Sequence, residues 1–61
     1  MSEEALRQSL NAYLIKYGST ISFIASNVGV SREHLSRWMH NEDYLISKEL
    51  KNRLVQFVSI L

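Results

Sequence analysis

Residues 26–41 read SNVGVSREHLSRWMHN, and they interrupt one helical pattern and start another within three residues. Gly29 can adopt the left-handed backbone conformation that ends a helix at little cost. Ser31 can accept hydrogen bonds from the free amides at the start of the next helix, and Val30 would fill the corner. Ala25 lies one turn before Gly29, where a larger side chain would hold the two helices apart. The stretch therefore predicts two helices that meet at a steep angle.

Apolar residues recur at intervals of three and four along the chain, which predicts an all-helical protein. The 61 residues include no proline and only two glycines. The pattern predicts four helices, whose N-caps are Ser2, Ser19 or Thr20, Ser31 and Ser47. Gly18 and Gly29 are expected to end the first two helices. The predicted inward positions are Leu6, Leu10, Tyr13, Leu14, Tyr17, Ile21, Ile24, Ala25, Val28, Leu35, Trp38, Met39, Leu50, Leu54, Phe57, Val58 and Leu61.

Length and composition limit the class of protein. A chain of 61 residues is expected to form one domain with one small core. It has no cysteine, which excludes a disulfide framework and is typical of a cytoplasmic protein. No segment approaches the roughly 20 apolar residues of a membrane span, so a soluble protein is predicted. The net charge is +1, so any binding of nucleic acid must depend on where the charges lie.

The sequence contains no motif that is typical of an enzyme active site. His34 and His40 lie about 240° apart around a helix, so they cannot share a metal ion as an i,i+4 pair would. No serine is marked as an activated nucleophile, and no glycine-rich phosphate loop occurs. We therefore expect no catalytic activity, no metal ion and no cofactor.

The turn resembles the helix-turn-helix of the Cro and lambda-repressor type, also called the XRE family. The resemblance covers roughly residues 20–41, and the residues that carry it are Ile24, Ala25, the run VGVS at 28–31, Leu35 and Trp38. It implies an all-α, four- to five-helix lambda-repressor-like domain over residues 1–61. It also implies double-stranded DNA as the partner, because in this family the second helix of the pair lies in the major groove.

The resemblance implies which residues read the bases, namely Ser31, Arg32, Glu33, Ser36 and Arg37. Arg37 faces outward near the middle of its helix and could donate two hydrogen bonds to a guanine. Glu33 could accept one from the amino group of a cytosine. Alternatively, Glu33 and Arg37 are four residues apart and simply pair with each other on a solvated face.

Contacts to the sugar-phosphate backbone are expected at both ends of the motif. The residues concerned are Ser19, Thr20 and Ser22, around the N-terminus of the second helix, and His40 and Asn41, at the end of the third. The alternative for the first group is helix capping alone, and for His40 it is a merely exposed polar residue.

Two features depart from the family pattern. Ile21 stands where family members often carry a glutamine that binds phosphate. Glu42 and Asp43 directly follow the second helix of the pair. Carboxylates at this position would repel the phosphates of the DNA backbone. The positive charges of Lys48, Lys51 and Arg53 in the last helix are expected to offset part of this repulsion. The alternative is that these three residues only form the solvated side of the helix.

The last helix has a wide apolar arc. Val55 and Ile60 flank its main stripe, so the arc exceeds half the circumference. We therefore predict a homodimer, since such domains commonly read two half-sites about 34 Å apart. The residues of the predicted interface are Val55, Val58, Ile60 and Leu61. The alternative is that a very small core recruits every apolar residue.

These observations favour a small sequence-specific transcriptional regulator that resembles the minimal repressors of phages and mobile elements. It would occupy an operator and block polymerase. The acidic pair at 42–43 and the low net charge favour a second hypothesis, a protein-interaction module that binds another regulator or an enzyme through its apolar last helix.

Overall fold

The chain folds into four helices, and the computed structural model describes residues 1–59. Helix α1 spans Glu3–Tyr17, α2 spans Ile21–Val28, α3 spans Arg32–His40 and α4 spans Lys48–Ser59. No strand occurs in these 59 residues, so the predicted small all-helical architecture is confirmed. No helix in this part of the chain has the length and apolar character that crossing a bilayer requires.

Each helix begins at a predicted capping residue. The side-chain oxygens of the caps accept hydrogen bonds of 3.1–3.2 Å from the amide three residues further on, and the caps are Ser2, Thr20, Ser31 and Ser47. Thr20 rather than Ser19 therefore caps α2. Such caps stabilise a helix because the first four amides have no partner within the helix.

Gly18 and Gly29 end α1 and α2 in the left-handed conformation, with φ of 60° and 80°. The amides of Gly29 and Val30 both donate to the carbonyl of Ala25, at 2.9 and 3.0 Å. The two glycines differ in their surroundings. A Cβ atom on Gly29 would lie 3.3 Å from Nη1 of Arg53, whereas one on Gly18 would meet nothing within 4 Å.

One apolar core joins the four helices. Helix α2 packs against α3, and α4 packs against both α1 and α2. The buried residues are Leu6, Leu10, Ile24, Ala25, Val28, Leu35, Trp38, Met39, Leu50 and Leu54. All ten were predicted to face inward. A further predicted core residue, Leu61, lies outside the described residues.

Tyr17 was predicted to face the core, and this was wrong because its side chain is 56% exposed. The contact between α1 and α4 is made one turn earlier, where the rings of Tyr13 and Phe57 meet edge to face at 5.1 Å. Tyr17 packs on Tyr13 instead, with ring centres 4.9 Å apart.

The connection between α3 and α4 is partly apolar. Tyr44 and Ile46 pack against the core, while Leu45 between them is 85% exposed. A turn begins this connection, since the amide of Tyr44 donates to the carbonyl of Asn41 at 3.1 Å. The connection therefore returns to the protein directly after α3.

Candidate nucleic-acid interface

Helix α3 has two faces of opposite character. Leu35 and Trp38 are fully buried, because residues three and four apart lie on the same side of a helix. Arg32 and Arg37 lie on the other side and are exposed. The helix therefore presents a polar edge to solvent while its apolar face is held in the core.

The C-terminal half of α3 is fastened to α1 through Trp38. The indole N–H of Trp38 donates to Oε1 of Glu3 at 2.9 Å. Arg7 donates from Nε to the carbonyl of Trp38 at 2.8 Å and from Nη2 to the carbonyl of Asn41 at 3.2 Å. Its guanidinium also lies 4.6 Å from the centre of the Trp38 ring. The bond to Trp38 satisfies a carbonyl at the end of the helix, and Arg7 adds a second donor to the Asn41 carbonyl, which also accepts from the amide of Tyr44.

Sequence reasoning missed this role of Arg7. Its side chain is only 11% exposed, and its distance to the Glu3 carboxylate is 3.9 Å. The spacing of Glu3 and Arg7 indicates a local i,i+4 pair on α1. Nothing in the sequence signals that both side chains bind the backbone and indole of a residue more than 30 positions away.

The turn between α2 and α3 is fastened to α4 in a similar way. Nη1 of Arg53 donates to the carbonyl of Val28 at 3.2 Å, and its Nη2 binds Oε1 of Glu49 at 2.6 Å. Arg53 was considered as compensation for the acidic connection or as part of a solvated side. Its guanidinium instead occupies the end of α2, beside Gly29.

The central residues predicted to read bases are accessible. The side chains of Arg37 and Glu33 are 67% and 80% exposed, and their closest charged atoms are 3.9 Å apart. The pair that was considered as an alternative therefore exists, but ion pairs this exposed contribute little to stability. The guanidinium of Arg37 keeps its donors available to an external acceptor.

Ser31 directly precedes α3, and Ser36 lies on the same side of the helix as this edge. Ser31 caps α3 by accepting from the amide of His34, and its hydroxyl proton can still be donated elsewhere. Ser36 is half-buried, and its backbone carbonyl lies 2.8 Å from Nδ1 of His40.

The residues predicted to bind phosphate near α2 lie together at its N-terminus. Thr20 caps the helix, so the alternative role of capping is observed for it. Ser19 is half-buried and donates its amide to the carbonyl of Leu14 at 3.1 Å. Ser22 is exposed in the first turn, where free amides and the helix dipole favour an anion.

At the other end of the edge, His40 and Asn41 are both exposed. Oδ1 of Asn41 accepts from the amide of Asp43 at 2.9 Å, so its NH2 group remains available. Glu42 and Asp43 are exposed next to it. The carboxylates that were expected to repel DNA are therefore solvated and adjacent to the end of α3.

The two histidines lie in different environments. His34 is partly buried, and its Nδ1 lies 2.7 Å from the hydroxyl of Tyr44, with the two rings 5.3 Å apart. This contact ties the connection after α3 back to the helix. In residues 1–59 no group of three or more His, Cys, Asp or Glu side chains could hold a metal ion.

The predicted dimer interface is described only in part. Val55 and Val58 are half-buried and pack against the core of their own chain. Val58 also lines an open groove of about 490 Å³ between α1 and α4, together with Lys16 and Tyr17. Ile60 and Leu61 lie outside the described residues, and self-association stays a prediction.

Comparisons with protein-family models, curated proteins and solved structures found no match to this chain. Residues 1–59 form a small four-helix domain in which one short helix presents a polar, arginine-bearing edge to solvent.

Proposed function

We propose that the protein is a small sequence-specific DNA-binding regulator with a lambda-repressor-like fold. In this proposal α2, the turn and α3 form a helix-turn-helix, and α3 enters the major groove. A domain of this kind represses transcription by occupying an operator and blocking polymerase. It works in the cytoplasm as a homodimer.

The observation that carries the proposal is the accessible edge of α3. Arg37 projects from the middle of a helix whose opposite face is anchored by Trp38, and among the described residues its guanidinium pairs with the exposed Glu33 at 3.9 Å. A rigid helix with a free guanidinium suits the two acceptors of guanine in the major groove. Arg32 adds a second cation at the N-terminal end, where base contacts concentrate in this motif.

The charges of this edge limit the affinity of a single copy. The cations are those of Arg32 and Arg37, and the nearby carboxylates are those of Glu33, Glu42 and Asp43. Phosphate contacts supply much of the affinity for DNA. A single copy is therefore expected to bind weakly, and two copies on two half-sites would double the contacts.

Selection from a random duplex library at about 50 mM salt tests the proposal. The wild type is expected to enrich a sequence containing guanine at the Arg37 position. Its affinity should fall when the salt is raised to about 200 mM. In Arg37→Ala, discrimination at that position should fall by about 1–3 kcal/mol.

A matched control is Lys16→Ala, which removes an exposed cation from the last turn of α1. This variant should retain the selected sequence and most of its affinity. If Arg37→Ala selects the same sequence with unchanged affinity, the assignment of α3 as the reading helix is wrong. If no duplex is retained even at low salt, DNA binding itself is wrong.

The second candidate function is a protein-interaction module, favoured by the solvated acidic pair beside α3 and by the groove that Val58 and Tyr17 line. In that case a pull-down should enrich one regulator or enzyme. Tyr17→Ser should abolish its capture without unfolding the domain, since Tyr17 is largely exposed. Arg37→Ala should leave the capture unchanged.

A further inference from the structure

His40 has one ring nitrogen committed by its own helix. Its Nδ1 lies 2.8 Å from the backbone carbonyl oxygen of Ser36. A carbonyl oxygen can only accept a hydrogen bond, so Nδ1 must carry the proton. The hydroxyl of Ser36 is a weaker neighbour, at 3.5 Å from the same nitrogen. Neutral His40 is therefore the Nδ1–H tautomer.

The other nitrogen, Nε2, is then an acceptor in the neutral ring. His40 is exposed, and within residues 1–59 no hydrogen bond reaches Nε2. Phosphate oxygens also only accept hydrogen bonds, so the neutral ring has nothing to donate to them. Protonation adds a hydrogen to Nε2 and a positive charge, which turns the same atom into a charge-assisted donor.

His40 continues the polar edge of α3. It lies three residues after Arg37, about 4.5 Å further along the helix axis, and seven after Glu33. When the first turns of α3 lie in a groove, the last turn lies nearer the sugar-phosphate backbone. The carbonyls at this helix end form the negative pole of the helix dipole, which repels phosphate.

Charged groups near His40 come from three parts of the molecule. Arg37 lies one turn earlier on α3, and Glu42 and Asp43 follow in the connection to α4. From α1, Arg7 binds the carbonyl of the adjacent Asn41. The two carboxylates repel phosphate, so a cation at residue 40 offsets an unfavourable local charge.

We infer that His40 is a proton-dependent phosphate contact. It binds the DNA backbone only as the imidazolium, so DNA affinity is higher at about pH 5.5 than at about pH 7.5. The inference rests on the proposed DNA-binding function and adds a mode of regulation to it.

Affinity for the selected duplex at about pH 5.5 and pH 7.5 tests the inference. The wild type should bind roughly fivefold to tenfold more tightly at the lower pH. The logarithmic salt slope should be steeper there by about 0.9 for each phosphate contacted. His40→Gln should bind with the same affinity at both pH values.

The control is His34→Gln, because the chain has only two histidines. His34 is partly buried against Tyr44, so this variant should keep the pH dependence, with its folding checked by circular dichroism at both pH values. If the pH dependence survives in His40→Gln, or if the wild type shows none, the inference is wrong while DNA binding stands. If no duplex binds at either pH, the proposed function fails and the inference fails with it.

A second measurement needs no DNA. The nitrogen chemical shifts of the imidazole rings report the tautomer of each neutral histidine. His40 in the free protein should be the Nδ1–H tautomer. A neutral His40 with its proton on Nε2 could donate to phosphate at any pH and would overturn the inference directly.

Discussion

The two faces of α3 differ in how they interact with the rest of the protein. On the inner face, Trp38 is buried and is bonded through its indole to Glu3 and through its carbonyl to Arg7. On the outer face, Arg37 forms an exposed ion pair with Glu33, at 3.9 Å. One nine-residue helix therefore supplies both the anchor of the fold and a surface that the fold does not use. Stability and binding should accordingly respond to different substitutions.

The arginines show the same division. Arg7 and Arg53 donate to backbone carbonyls at the ends of α3 and α2. Arg32 and Arg37 are exposed. Four identical side chains thus have two roles, and the difference lies in whether a helix C-terminus of another segment comes within reach. The net charge alone could not reveal how few cations remain for a partner.

The largest effect is expected from Trp38→Ala on the inner face. Removing a buried tryptophan costs about 3–5 kcal/mol, which is comparable to the whole stability of a domain this small. The variant should be largely unfolded at room temperature by far-UV circular dichroism. Trp38→Phe keeps an aromatic ring but loses the N–H bond to Glu3, and it should be affected less. A cooperatively folded Trp38→Ala would show that α3 is not anchored by this residue.

A smaller loss is expected from Arg7→Met, which keeps an apolar stem but removes the bonds to the carbonyls of Trp38 and Asn41. The free energy of unfolding should fall by about 1–3 kcal/mol, because the Trp38 carbonyl loses its donor and the Asn41 carbonyl loses one of its two donors. Urea denaturation measures the change. Lys16→Met is the matched control on the same helix, and an equal loss in both variants would contradict a specific role for Arg7.

Ser31 belongs to both faces, since it caps α3 and lies at the start of the predicted reading edge. Ser31→Ala should lower stability by about 1 kcal/mol, because the amide of His34 loses its acceptor. Ser31→Asp should restore the cap and with it the melting temperature. Its added negative charge should nevertheless weaken DNA binding. If Ser31→Asp binds DNA as tightly as the wild type, this residue does not face the duplex.

The smallest effect on folding is expected from Arg37→Ala on the outer face. An exposed ion pair contributes little, so the free energy of unfolding should change by less than about 0.5 kcal/mol. Urea denaturation beside the wild type provides the measurement. A loss above about 1 kcal/mol would mean that the outer face also supports the fold, and the contrast between the two faces would disappear.

Local signals in the sequence were sufficient for much of this fold. The caps Ser2, Ser31 and Ser47 and the left-handed Gly18 and Gly29 are all where they were predicted. The apolar periodicity identified the buried residues of every helix. It failed at Tyr17, because periodicity gives the side of a helix but not how far along its length the neighbouring helix packs against it.

The candidate site was predicted less completely. The outward direction of Arg37 followed from the helical period, and its exposure in the structure agrees with it. The supports of the site were not predicted, because the bonds from Arg7 to Trp38 and from Arg53 to Val28 join residues 31 and 25 positions apart. Whether the edge binds DNA stays a prediction.

The sequence by itself determined where the helices of this protein begin and which side of each helix faces the core. Those properties depend on side chains within about four positions of one another, through capping bonds and the helical repeat. Only the tertiary structure decided which polar side chains serve the fold and which remain free for a partner. The role of each arginine depends on whether packing of the core brings the C-terminal end of another helix within its reach. A guanidinium there can bind the carbonyls that lack partners at a helix end.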